Sequence, residues 1–344
     1  MKKTILALTI PAMLAVSAYA TAANVYKTDS QTLDIFGRSK FTLDNNDNTQ
    51  AGYSARLGVK GTTKVNDNLT AFGHVSWEMQ AKRDSLSSNK SGGDDIKSRY
   101  VFVGFDGHSY GKIELGQNDA PFYTSLTSIT DIFDNGMESS VGTYGYNFAP
   151  NEAVYTNTVG PLTIQTSYQF DTVEGGSSSA GSVLDSFGAG LTAANFKDQT
   201  SAYSMAGVYD TGIGLNVHAG LAHQNFAGNA QKNNYGLGLD YTLNNLYLAA
   251  LYTHNKEDDG SNTANRNGYE VAASYKLDKL SLRTGYALGK QTSDVTGNDT
   301  TYAKAFKLGA TYHFTSNVYV TAEWLNNPVG GNPNDFSGAV AYYF

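Results

Sequence analysis

Arg38 and Lys40 stand two residues apart, and Arg56 and Lys60 stand four apart. On an extended backbone, even spacings put both charges on one face. Arg99 sits in a third such segment, and Glu78, Glu114, Glu270, Arg283, Lys307 and Glu323 take the same kind of position in others. A row of fixed charges facing water attracts, repels and orients ions and dipoles without making or breaking bonds. Three further acids, Asp131, Asp134 and Glu138, fall in one long connection among Pro121, Phe122, Tyr123, Leu126, Ile129, Ile132 and Phe133. The residues that bond-making chemistry would need are missing or scattered. There is no Cys, which excludes thiolate nucleophiles and thiolate zinc sites. The six His, at 74, 108, 218, 223, 254 and 313, are isolated, with no His-x-x-x-His pair and no Ser-His-Asp set suggested by spacing. No catalytic residue, metal ligand or cofactor is expected.

The elements that must carry these charges repeat with a period of two. In 33–41, Leu33, Ile35, Gly37, Ser39 and Phe41 oppose Asp34, Arg38 and Lys40. In 53–61, Tyr53, Ala55, Leu57 and Val59 oppose Ser54, Arg56, Gly58 and Lys60. The same reading holds for 69–79, 162–170, 213–221, 235–241, 246–252, 269–275, 280–288, 306–314, 318–324 and 336–344, and more weakly for 99–105, 112–116, 152–157 and 201–209. That predicts sixteen strands. Every charge noted falls on a polar face and none on an apolar one. A lipid-facing surface imposes this, because Lys or Arg at the bilayer midplane costs roughly 2–4 kcal/mol.

The connections alternate. Seven short turns at 65–68, 107–111, 159–161, 210–212, 243–245, 277–279 and 315–317 carry Gly, Asn, Asp or Pro. Between them lie eight longer polar loops, near 44–52, 80–97, 117–150, 171–200, 224–233, 254–267, 289–304 and 325–335. All short turns therefore fall on one side of the sheet and all long loops on the other. On the apolar face, Tyr53, Trp77, Phe170, Tyr235, Tyr252, Tyr269, Tyr286, Phe306, Trp324 and Phe336 flank long loops. Tyr241, Tyr275, Tyr312, Phe314, Tyr342 and Phe344 flank short turns. Two aromatic girdles at two membrane–water interfaces are expected. The fold class is all-β, a 16-stranded antiparallel transmembrane β-barrel.

Composition agrees. The 344 residues include 36 Gly, 24 Tyr and 16 Phe, with only 16% charged residues. The mean hydropathy is −0.35. A helical membrane protein would be far more hydrophobic, and an ordinary soluble domain carries more charge. The net charge of −7 argues against nucleic acid as a partner. Residues 1–22 read as a signal peptide: Lys2 and Lys3, an apolar run from Ile5 to Ala18, and small-x-small sites that allow cleavage after 20 or 22. Removing Lys2 and Lys3 takes the net charge to −9, and residues 23–344 are expected to form one barrel domain.

A sixteen-stranded barrel is too wide for its own side chains to fill, so its polar faces line water. The apolar groups of the third long connection then suit an inward fold, packed on the wall with Asp131, Asp134 and Glu138 turned toward the water path. Arg38, Arg56 and Arg99 are expected across from it. Opposed acidic and basic rims create a transverse field that favours small polar solutes. The acidic runs at 94–95 and 257–259 read as solvated loop charges.

These residues resemble the Gram-negative general porins of the OmpF/OmpC and OmpU type, over nearly the whole of residues 23–344. The segment Ala55-Arg56-Leu57-Gly58-Val59-Lys60-Gly61 matches that family's Ala-Arg-Leu-Gly-x-Lys-Gly strand. Residues 23–27 and 33–38 resemble its mature N-terminus, and Ser98-Arg99-Tyr100 its fourth strand. The resemblance implies eyelet roles for Arg38, Arg56 and Arg99, and for Asp131 and Asp134 opposite. It implies that Phe344 signals to the barrel-assembly machinery. It further implies a homotrimer in the outer membrane, among lipid and lipopolysaccharide, passing ions and small hydrophilic solutes passively. The chain departs from the family at Thr130-Asp131-Ile132-Phe133-Asp134-Asn135-Gly136, where the carboxylates are three apart, and at 147–151, where a fourth wall cation is missing. That departure and the charge of −9 predict weak cation selectivity. The alternative is a structural or adhesion barrel acting through its external loops.

Overall fold

A computed structural model describes residues 22–46, 48–80, 95–134, 148–170, 190–196, 198–297, 299–329 and 334–344. Glu138, Asp94 and residues 1–21 lie outside them. A short strand, β1 (Ala23–Lys27), precedes sixteen longer ones. These are β2 (Gln31–Asn46), β3 (Asn48–Asn66), β4 (Leu69–Gln80), β5 (Asp95–Asp106), β6 (Lys112–Asn118), β7 (Ala149–Val159), β8 (Leu162–Gln169) and β9 (Gln199–Asp210). They continue as β10 (Leu215–Phe226), β11 (Gln231–Leu243), β12 (Leu246–Asp258), β13 (Thr263–Leu277), β14 (Leu280–Ser293), β15 (Asp299–His313), β16 (Val318–Asn326) and β17 (Asn334–Tyr343). From β2 onward each strand pairs antiparallel with the next, and β17 pairs with β2, so the sheet closes on itself. Closure is what a bilayer demands, since it offers no water to an unpaired sheet edge. The sixteen expected segments correspond one to one with β2–β17. β1 was not expected; it pairs with the first half of β2, while β17 pairs with the second half. At the junction Gly37 and Phe344 exchange backbone hydrogen bonds of 2.8 and 3.1 Å.

Alternation decides which way each residue faces. Outward positions such as Leu57, Val103, Leu239, Val271 and Leu308 are exposed to the surroundings, as are Tyr53, Tyr235, Tyr269, Tyr275, Tyr312 and Tyr342 at the strand ends. The seven short turns stand where expected. At the turn between β9 and β10, Gly212 and Gly214 take φ of 77° and 85°, which side chains with a Cβ resist.

Several expected long loops are instead strand. β2 and β3 pair up to Asn46 opposite Asn48, β11 and β12 up to Gln231 opposite Asp258, and β13 and β14 up to Ala264 opposite Ser293. Spanning the bilayer needs only about 9–11 residues. Beyond that the side chains become polar, which hides the strand from a hydropathy reading, while the backbone ladder continues unchanged. Residues 190–196 fold back beneath this extension. Phe196 packs on Phe226, with the buried Lys232 Nζ 5.0 Å from its ring centroid. Arg266 reaches Glu257 at 2.7 Å. Asp259, in the connection between β12 and β13, accepts N–H groups from Thr192, Ser261 and Asn262 at 2.8–2.9 Å. Partial burial pushes its pKa up, but these donors outweigh it and hold the carboxyl below its ordinary value.

The apolar core lies inside the barrel, against one side. A one-turn helix, α1 (Pro121–Thr124), and the 3-10 turn Thr127–Ile129 lead the third long connection inward. Phe122, Leu126, Ile129, Ile132 and Phe133 are buried against inward-facing Ala222, Ala249, Leu251, Ala272, Ala287 and Ala305. Each fully buried side chain of this size contributes about 1.5–3 kcal/mol. The wall is made small to receive them. A Cβ added to Gly236 would lie 2.4 Å from Leu126 Cδ2, and one added to Gly238 would lie 2.6 Å from Ile129 Cδ1.

Candidate channel constriction

The register of β2–β5 gathers the basic side. Arg38 pairs with Arg56 across β2 and β3, and Arg56 with Glu78 across β3 and β4. Adjacent like charges on a strand pair repel, and Glu78 relieves them. Its Oε1 lies 3.3 Å from Arg56 Nε and 3.6 Å from Arg38 Nη2, and its Oε2 lies 2.5 Å from Arg99 Nη1. Arg99 reaches in from a register shift between Ser76 and Trp77, and its guanidinium also lies over the Phe148 ring at 4.2 Å. The three expected cations thus form one cluster around one carboxylate. Arg56 is the most open of the three, with 33% of its side chain exposed against 9% for Arg38.

The loop supplies the other side. Asp131 accepts the Tyr123 hydroxyl at 2.9 Å. Asp134 behaves differently from expectation: it is bound to the wall by Lys40 Nζ at 2.6 Å and by the Tyr319 hydroxyl at 3.1 Å. The separation of acidic and basic rims is therefore partial. Lys40 lies two residues along β2 from Arg38, so the loop's second acid comes down beside the basic cluster.

Four residues expected to line the lumen prove to fasten the loop. Glu323 accepts the Asp134 backbone N–H at 2.8 Å and is itself held by Arg283 at 3.3 Å and Lys307 at 3.0 Å. Arg283 donates to the Ile132 carbonyl at 2.7 Å, and Lys307 Nζ lies 4.9 Å from the Phe133 ring. Glu270 accepts the Thr130 hydroxyl at 2.6 Å. Lys60 lies inward beside His74, and Glu114 pairs with Lys112 at 2.8 Å.

Other fasteners were not visible in the sequence. The His218 ring bridges the Ser125 carbonyl at 2.7 Å and Asp240 at 2.5 Å. Tyr247 donates to the Ile129 carbonyl at 2.8 Å, and Ser204 accepts the Phe122 N–H at 3.0 Å. Gln165 accepts the hydroxyls of Thr124 and Ser125. Inward phase on a strand marks each as a lumen residue. What none of their neighbours along the chain reveals is that a loop will lie on them.

A model of the Gram-negative porin family matches residues 7–327. Outer membrane porin F of Salmonella typhimurium is 30% identical, over 98% of this chain and 95% of that protein. Among solved structures, Salmonella typhi OmpF in complex with daunomycin superposes with a TM-score of 0.75 at 20% identity, covering 94% of this chain and all of that one. The trimer form of OmpT from Vibrio cholerae gives 0.68 at 20%, over 92% and 100%.

Proposed function

This chain belongs to the Gram-negative porin family and is a non-enzymatic channel of the outer membrane; from that premise we propose a weakly cation-selective, water-filled route for ions and small hydrophilic solutes. One observation carries the selectivity. The cations nearest the loop each hold a carboxylate: Arg38, Arg56 and Arg99 share Glu78, Lys40 holds Asp134, and Arg283 and Lys307 share Glu323. Pairing offsets part of the wall's positive field, and the net charge of −9 on residues 23–344 favours cations.

In this reading Arg38, Arg56 and Arg99 form the basic rim of the constriction, and Asp131, Asp134 and Glu138 the acidic one. Residues 23–344 are the mature barrel and residues 1–22 its signal peptide. The assembled form is a homotrimer, the state named for the similar Vibrio cholerae OmpT. It rests among lipid and lipopolysaccharide of the outer membrane, with Phe344 presented to the barrel-assembly machinery. The test is the reversal potential of single channels in a planar bilayer under a KCl gradient. A modest potassium preference is expected, and chloride preference overturns the proposal.

A further inference from the structure

One sector of the lumen wall is aromatic, and it adjoins the arginines on their short-turn side. Register arranges it in rows. Arg38, Arg56 and Glu78 form one row across β2–β4. The next row toward the short turns is Phe36, Gly58, Ser76 and Tyr100, and the one after it carries Lys60, His74 and Phe102. Phe72 follows, opposite Gly104. Successive rows are two residues, or about 7 Å, apart along a strand. His74 is buried at the centre, with its ring centroid 5.4 Å from that of Phe36, 5.2 Å from Tyr100 and 5.1 Å from Phe102. Phe36, Phe72, Tyr100 and Phe102 around it are only half-buried. A Cβ added to Gly58 would lie 2.2 Å from Phe36 Cζ, and one added to Gly104 2.4 Å from Phe72 Cζ, so both rings lie down along the wall.

No other sector is like this. On β6–β17 the inward Phe and Tyr rings of the described residues are buried, as Phe226, Tyr302, Tyr319 and Tyr343 are, or packed against the third long connection, as Tyr247 is. Covering Gly58 and Gly104 explains where two of the four rings lie. It does not explain four rings left open to a water-filled lumen, and contiguous apolar surface facing water marks a binding surface. The sector offers little hydrogen bonding to a sugar. The Tyr100 hydroxyl is donated to Asp119 at 2.6 Å, and the Thr32 and Thr62 hydroxyls bond each other at 2.7 Å. It suits a flat apolar ring. Its upper border suits an anion, because three guanidinium groups gather there around one carboxylate and keep a local excess of positive charge. The two surfaces are continuous: Arg99 lies over Phe148 at 4.2 Å, and Phe148 lies 5.0 Å from Tyr100.

We propose that this wall is a binding subsite for small aromatic carboxylates. The solute ring lies against Phe36, Tyr100 and Phe102 in the offset and edge-to-face contacts that aromatic pairs favour. Its carboxylate takes the fork of Arg56, the most open of the three guanidinium groups. The proposal rests on the water-filled route put forward above, which brings the solute to the wall. A barrel that is acidic as a whole holds an anion here because the excess of positive charge is local.

Single channels of the full-length protein in a planar bilayer at low salt test it. The probes are benzoate, benzamide and acetate, and the readout is the concentration at which each halves the potassium current. Benzoate is expected to act at a concentration about fivefold lower than benzamide, which lacks the charge. It is expected to act at about twofold to tenfold lower than acetate, which lacks the ring. The variant F36L/F102L keeps apolar bulk without the rings and should need about twofold to tenfold more benzoate per ring lost, while F36Y/F102Y should restore the wild-type value. Arg56→Gln should bring benzoate close to benzamide. A conducting wild-type channel on which benzoate does no better than acetate, or no better than benzamide, overturns the subsite and leaves the channel standing. A benzoate response equal in F36L/F102L and wild type overturns it too. Wild-type protein that conducts no potassium removes the channel and the subsite together.

Discussion

Residues 120–134 are fastened to β8–β16 by five buried apolar side chains and by bonds to their backbone groups, whereas the arginines of β2, β3 and β5 are gathered by one carboxylate beside water. The first kind of attachment is short-ranged and indifferent to salt. The second is electrostatic and is screened over about 8 Å at physiological ionic strength. A channel needs both. The apolar seat sets how narrow the opening is, and the charge cluster sets which solutes find it comfortable. Because different residues carry the two properties, each is open to change without the other.

The strongest way to break this division is to fill the seat. Gly236→Val together with Gly238→Val puts side chains where Leu126 and Ile129 now lie, an overpacking that costs about 1–3 kcal/mol. The loop should lift from the wall, and single-channel conductance should change more than for either charge variant below. That change should persist in 1 M KCl, where the Debye length is only about 3 Å. Unaltered conductance in a folded double variant would show that the loop does not set the opening.

A smaller effect should follow from Asp131→Asn with Asp134→Asn. One unit charge about 4 Å from an ion's path is worth about 1 kcal/mol in water, roughly a fivefold factor. Removing two should move the potassium-to-chloride permeability ratio toward chloride by up to about twenty-fivefold, with conductance nearly kept. An unmoved ratio would place both acids off the ion path. The smallest of the three should be Glu78→Gln, a shift toward chloride of no more than about fivefold that shrinks in high salt. A larger effect than that of the Asp pair would make the arginine cluster, and not the loop, the principal filter.

Much of this was legible beforehand, for a reason visible in single strands. In β13, Tyr269, Val271 and Tyr275 face out while Glu270, Ala272 and Ser274 face in, so one alternation reports both surroundings. The inward fold of the third long connection was legible from Phe122, Leu126 and Ile129, which water would not keep exposed. Strand ends were not legible, because Asp44, Asn45 and Asn46 pair as well as valines do once they stand clear of lipid. The partner of Asp134 was not legible either. Which of several lumen cations it meets depends on where the loop descends, and that is decided by the seat on β10–β15, far along the chain from both Lys40 and Asp134.

The bond pair between Gly37 and Phe344 has a consequence for the order of events during folding. These residues are separated by nearly the whole described chain, and the ring exists only once they meet. Hairpins such as β13–β14 can form as soon as both strands are present, each new one adding to an open ribbon. Joining the ribbon's edges is the one step that no shorter piece of chain can rehearse. Its entropic cost rises only slowly with the length of the intervening chain. Its rate bears the full burden of that separation. Until it happens, β17 and the second half of β2 offer unpaired edges to whatever strand comes near.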